Sequence, residues 1–237
     1  MSALTETMLR HLHAASAARN LRSGRPLPPP SPAALRDIEL AYPGVLTQDM
    51  RQLLRICGGL AETMLGDIDF TGGAFPEEPL PVFRPCLSLA IDELGRRWIA
   101  ETSVGAGLPG PVWCILPRLA VSLWISEDLT KFLLRLHECA RRGETRDWLQ
   151  GIEKGARWIW VHRRALGIQF RALCRRDQAL RGWVWGLPCD AYVYDLRLDS
   201  VARGVPYGGG RLYRCGRLPV FAVAAETATA EPTFEQP

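Results

Sequence analysis

The chain predicts an α+β fold, a mostly antiparallel sheet packed against helices in a single domain. Two observations carry that expectation. Between Leu87 and Pro117, two apolar runs (Leu87-Ser-Leu-Ala-Ile91 and Val112-Trp-Cys-Ile-Leu116) are interrupted only by turn chemistry, Asp92 to Gly95 and Gly110-Pro111. Short turns favour antiparallel pairing, since a parallel crossover needs a dozen residues or more. Elsewhere, apolar residues recur at three- and four-residue steps behind good capping residues, the pattern of amphipathic helices.

Taken in order, Ala3 to Arg22 has helical spacing, with Leu4, Met8, Leu9, Leu12 and Ala15 on one side. Ser23 to Pro32 is proline-rich and reads as a stiff, extended linker, because proline does not hold a helix interior. Residues 1–30 are therefore expected to be a helix and linker ahead of the domain. Ser31 as N-cap and Pro32 in the first turn open a helix to Ala41, with Leu35, Ile38 and Leu40 facing inward. Thr47 caps a second helix, Gln48 to Cys57, on an apolar face of Met50, Leu53, Leu54 and Cys57, and Gly58-Gly59 reads as its left-handed stop.

Strands are expected at Ile68–Thr71, Leu87–Ile91, Trp98–Ala100, Val112–Leu116 and Ala120–Ile125. Ser126 then caps a helix bearing Leu129, Phe132, Leu133 and Leu136, and Thr145–Ala165 forms another around Trp148, Ile152 and Ile159. The remainder reads as strands at Trp183–Trp185, Ala191–Leu196, Tyr213–Cys215 and Pro219–Ala224, followed by a frayed tail, 225–237. Gly204-Val-Pro-Tyr-Gly-Gly-Gly-Arg211 reads as a flexible hairpin connection, since Leu212-Tyr-Arg follows it where a phosphate loop needs a helix and a Lys-Ser/Thr pair.

Composition narrows the function. The 237 residues are 47% apolar and 23% charged, an ordinary globular balance. Lysine occurs only at 131 and 154, so 27 of the 29 basic residues are arginine. With a net charge of +4 and acids interspersed, that bias reads as coding preference and does not describe a dedicated nucleic-acid binder. The seven cysteines are scattered singly, without C-x-x-C, and read as small buried residues in a reducing compartment. No signal peptide or apolar run of membrane-spanning length is present, so the expected location is cytoplasmic. No nucleophile elbow, His-Glu-x-x-His or Cys/His spacing is found, so the chain is not expected to be an enzyme and no metal or cofactor is expected.

The order of several weak motifs is more specific than any one of them. Leu46-Thr-Gln-Asp-Met-Arg-Gln-Leu-Leu54 precedes Cys57-Gly-Gly-Leu60, then come Asp67-Ile-Asp-Phe70, Leu89-Ala-Ile-Asp92 with Gly95 and Trp98, Gly110-Pro-Val-Trp113 and Ser126-Glu-Asp-Leu-Thr-Lys-Phe-Leu133, with Tyr194-Asp-Leu-Arg197 and Leu218-Pro-Val-Phe-Ala222 closing the chain. Over residues 31–224 this resembles the SUKH superfamily, the fold of fungal Smi/Knr cell-wall regulators and of many bacterial immunity proteins. The resemblance implies a protein that binds and occludes a cognate secreted polymorphic toxin, without a catalytic residue or cofactor. The alternative is a regulatory protein-interaction module of the same fold. The turn Asp92-Glu-Leu-Gly-Arg96 departs from the family's usual Asp-Gly-x-Gly-Asn, in a family whose loops diverge to match their partners.

Exposed charges flanking the sheet are the expected partner-binding residues: Asp67 and Asp69, two residues apart on one face of a strand, and Asp92, Glu93, Arg96 and Arg97 in a mixed-charge turn. The tryptophan pairs Trp158/Trp160 and Trp183/Trp185 are expected to place one ring in the core and one at the surface.

Overall fold

A computed structural model describes residues 6, 23–41, 48–73, 81–83, 86–101, 110–197, 203–207, 211–216 and 218–224. The expected N-terminal helix, the Thr47 cap, the triple glycine and the C-terminal tail lie outside these residues, Glu6 apart. The fold is α+β with antiparallel strand pairing, as expected. Two compact units are recognisable, Met1–Cys114 with Trp124–Gln150, and Ile115–Leu123 with Gly151–Pro237.

In the first unit, β1 (Ser23–Leu27), β2 (Gly59–Thr63) and β3 (Gly66–Asp69) form an antiparallel sheet in chain order. The expected linker is thus partly a strand. Pro26, opposite Leu60, is tolerated because β1 is an edge strand. Helix α1 (Pro32–Ala41) starts as expected, with the Ala34 amide donating to Ser31 Oγ at 3.1 Å. Ile38 is buried and Leu40 is exposed, which corrects the expected inward face. In α2 (Gln48–Ile56) Met50, Leu53 and Leu54 are fully buried, as is Cys57 just past its end.

Gly58 and Gly59 do not supply a left-handed stop, because neither has positive φ. Gly59 is needed for close approach: a Cβ there would lie 2.1 Å from the Ile68 carbonyl oxygen.

The hairpin β4 (Cys86–Ile91) and β5 (Arg97–Glu101) follows, with an irregularity between Ser88 and Ala90, and β6 (Val112–Leu116) flanks β5. Helix α3 (Leu129–Arg142) is capped by Asp128, whose side chain accepts from the Lys131 amide, and not by Ser126, the last residue of β7 (Val121–Ser126). Trp98, Trp113, Phe83 and Phe132 are buried here, with Trp98 and Phe132 ring centroids 5.8 Å apart and Phe83 and Trp113 4.8 Å apart.

Helix α4 (Thr145–Cys174), which belongs to the second unit from Gly151 onward, runs well past the expected Ala165, and α5 (Gln178–Trp185) stands where a strand was expected. The Asp177 side chain accepts from the Ala179 amide as N-cap of α5, and Leu180 and Val184, four residues apart, are fully buried. That cap and spacing outweigh the β-propensity of tryptophan. Strands β10 (Leu212–Arg214), β11 (Val220–Val223) and β8 (Tyr192–Asp195) form one sheet in that order, while β9 (Gly204–Pro206) pairs with Val121–Leu123 of β7. Gly204–Pro206, expected as part of a connecting loop, is therefore a strand, and among the described residues β9 and β10 pair with different strands. The core here gathers Cys174, Leu180, Val184, Ala191, Val193, Val220 and Ala222.

Candidate protein-binding site

The turn between β4 and β5 is built around one carboxylate. Asp92 Oδ1 accepts from the amides of Leu94 at 3.0 Å and Arg96 at 3.1 Å; Oδ2 accepts from Arg96 Nε at 2.6 Å and Trp98 Nε1 at 3.0 Å. The Asp92 amide in turn donates to the Arg96 carbonyl, and Gly95 takes φ +73°. Arg96 continues the network through Nη1 to the Leu149 carbonyl at 3.3 Å. Asp92 and Arg96 are both buried, so they are not the exposed recognition charges anticipated for this turn. A buried ion pair persists only when its remaining donors and acceptors are satisfied, and here the backbone of the turn does that. Burial also holds the Cys114 thiol well above the usual thiol range, with the charges of Arg96 and Asp92 acting on it in opposite directions.

Because the polar atoms of the turn point inward, its apex points outward. Glu93 is exposed, Leu94 is 50% exposed, and Ile91 at the end of β4 is 42% exposed; Arg97 is half-buried. The β2–β3 turn lies beside them, since a Cβ on Gly66 would sit 3.6 Å from the Ile91 carbonyl oxygen. It brings the exposed Glu62 and Asp67 to the same edge.

Asp67 and Asp69 have structural duties as well. Asp67 Oδ1 accepts at 2.8 Å from the amide of Glu62, a bulge residue at φ +58°. Asp69 Oδ1 accepts from the Thr71 amide at 2.7 Å and hydroxyl at 2.6 Å, and Asp69 is half-buried. Of the six anticipated residues, Glu93 and Asp67 stand at an exposed edge. Ile91 and Leu94 join them there, and sequence reasoning did not include them, because a leucine at a turn apex carries no signal apart from its exposure.

A second polar cluster lies in the other unit. Asp195 is buried; it accepts from the Arg197 amide at 3.0 Å, Arg197 Nε at 2.9 Å and Nη2 at 2.7 Å, and the same Nη2 reaches Asp177 at 2.7 Å. The Arg197 hydrogen bond, above all, lowers the Asp177 carboxyl below its usual range. Cys174 Sγ donates to Asp195 at 3.6 Å, and burial, then the Asp195 charge, push that thiol up to about 12. A thiol so protected is not a nucleophile at neutral pH. The cluster ties α5 to β8. Among the described residues no group of His, Cys, Asp and Glu side chains is arranged to hold a metal ion, and no helix is long and apolar enough to cross a membrane.

Comparison of the chain with protein-family models, curated proteins and solved structures finds no match.

Proposed function

We propose that this chain is a SUKH-type immunity protein that neutralises a cognate toxin by covering its active surface. The observation that supports the reading is the β4–β5 turn. A buried carboxylate accepts four hydrogen bonds, two of them from the backbone of the turn, and the fixed apex presents Leu94 and Ile91 near the carboxylates of Glu93, Asp67 and Glu62. A rigid apolar anchor flanked by carboxylates, of which Glu62 already lies 3.8 Å from Arg25, costs little ordering entropy on binding, and the acids of Glu93 and Asp67 favour a basic partner surface. The chain is basic overall, but the acids are concentrated locally, and local potential guides encounter.

The test is co-expression with the toxin domain encoded by the adjacent reading frame. Wild-type protein should restore growth and co-purify with that domain. Leu94→Arg and Ile91→Arg, at exposed positions, should abolish both while leaving thermal unfolding within a degree or two (about 0.5 kcal/mol) of wild type. Absence of rescue and of co-purification by the wild-type protein would overturn the proposal.

A further inference from the structure

Helix α4 shows its core face through Ile152, Ala156, Ile159, Trp160, Gly167 and Phe170, yet its opposite face is not polar. From Gly151 onward, in the second unit, Trp158, Val161, Ala165, Ile168 and Ala172 are exposed at alternating three- and four-residue steps. That is the narrow seam of a coiled coil. The large members are well exposed, Val161 at 70% and Ile168 at 61%, and Trp158 is held in place by stacking on His162 at 4.5 Å.

One edge of the seam is basic. Arg157, Arg164 and Arg171 follow each other at seven-residue intervals, and Lys154 lies in line with the seam itself. Between Gly151 and Trp185 there are eight basic residues against two acidic ones, a local charge of +6 in a chain whose total is +4. Both acids are already engaged, Glu153 with Arg157 and Asp177 with Arg197. Arg171 is also committed, donating to the Pro188 carbonyl at 3.1 Å. Lys154 and Arg164 are exposed without a carboxylate partner among the described residues.

We propose that this face is a docking site for an acidic amphipathic helix of another protein, which lays leucine-like residues along the seam and carboxylates along the arginine edge. Charge decides between occupants. A second copy of this chain would set arginine rows against each other in an antiparallel pairing, or against His162 and Gln169 in a parallel one. A membrane surface favours a broad apolar face, whereas this seam alternates large residues with Ala165 and Ala172. An acidic helix satisfies both the spacing and the charge. This surface is separate from the β4–β5 turn, and the proposal does not depend on the immunity reading.

The experiment titrates the full chain into a fluorescent synthetic helix with leucine at the first and fourth heptad positions and glutamate at the fifth and seventh. Its counterpart carries lysine in place of glutamate. Wild-type protein should bind the glutamate helix saturably, more weakly as salt rises, and should not bind the lysine helix. The double variant Arg157→Glu/Arg164→Glu should lose at least about tenfold in affinity for the first helix and gain the second. Val161→Asp/Ile168→Asp should lose binding with an unchanged melting curve, and Leu94→Arg should bind as wild type. The proposal is overturned if the wild type fails to bind, binds both helices equally, or is unaffected by these changes. It is equally overturned by seam-dependent co-sedimentation with phosphatidylserine vesicles in place of peptide binding, or by a concentration-dependent dimer that Val161→Asp dissolves.

Discussion

Asp92 carries four hydrogen bonds on its two oxygens and faces a buried guanidinium, so its removal costs more than the sum of its contacts suggests. Asp92→Ala strands the charge of Arg96, and the expected loss is about 3–5 kcal/mol, measured as a fall in urea midpoint at constant m-value. Arg96→Met added to it should recover part of that loss, because the stranded charge is gone. About 1–3 kcal/mol should remain, since Trp98 Nε1 and two amides still lack an acceptor. Additive single and double variants would refute this account of the turn. The sequence shows Asp92 and Arg96 four apart and Gly95 between them, enough to read a turn. It does not show that the pair is buried, because burial depends on partners distant in sequence, such as the Leu149 carbonyl that Arg96 reaches. Asp67 was legible as exposed; its bond to the Glu62 amide was not, because nothing in a glutamate advertises a left-handed backbone.

Helix α4 offers one substitution with opposite outcomes along a single element. Alanine is the better helix former than glycine by about 1 kcal/mol, so Gly155→Ala, where an added Cβ meets nothing within 4 Å, should stabilise by about 0.5–1 kcal/mol. At Gly167 the added Cβ would stand 2.4 Å from the Tyr192 Cβ, where α4 lies on β8, and the same change should cost about 1–3 kcal/mol. If both variants shift the melting temperature in the same direction, the close packing of α4 on β8 is wrong. Elements whose periodicity was long or whose strand was wholly apolar were legible, α2 and β6 to within a residue. Those missed were short or compositionally disguised. β1 contains Pro26, β2 contains the left-handed Glu62, β9 is three residues long, and α5 carries aromatic residues that favour strands. The outer seam of α4 is not legible for a related reason, since its apolar residues merge in sequence with those of the buried face.

Across the whole molecule, charge is carried by groups that do not titrate in moderately alkaline solution, and this isolates the buried thiols. Of 29 basic residues 27 are arginine, which stay protonated far above the range where lysine ion pairs fail. Five cysteines are buried, Cys57, Cys86, Cys114, Cys139 and Cys174. Desolvation raises Cys57 from 9.0 to about 11 and, with help from Asp195, Cys174 from 9.0 to about 12. In the unfolded chain these thiols lose their protons near 9, whereas in the folded chain they keep them. The unfolded state therefore binds fewer protons above that pH, and stability falls as pH rises. The contribution is complete below 9.0 and is lost progressively up to about 11 for Cys57 and about 12 for Cys174. Urea unfolding followed across that window should show a steady decline, at most about 1.4 kcal/mol per pH unit for each thiol. Cys57→Ala and Cys174→Ala should each make the decline shallower, whatever they cost at neutral pH. Their effects should add, because Cys57 and Cys174 belong to different compact units. A slope indifferent to the Cys57 and Cys174 substitutions would show that deprotonation of these thiols does not govern alkaline unfolding.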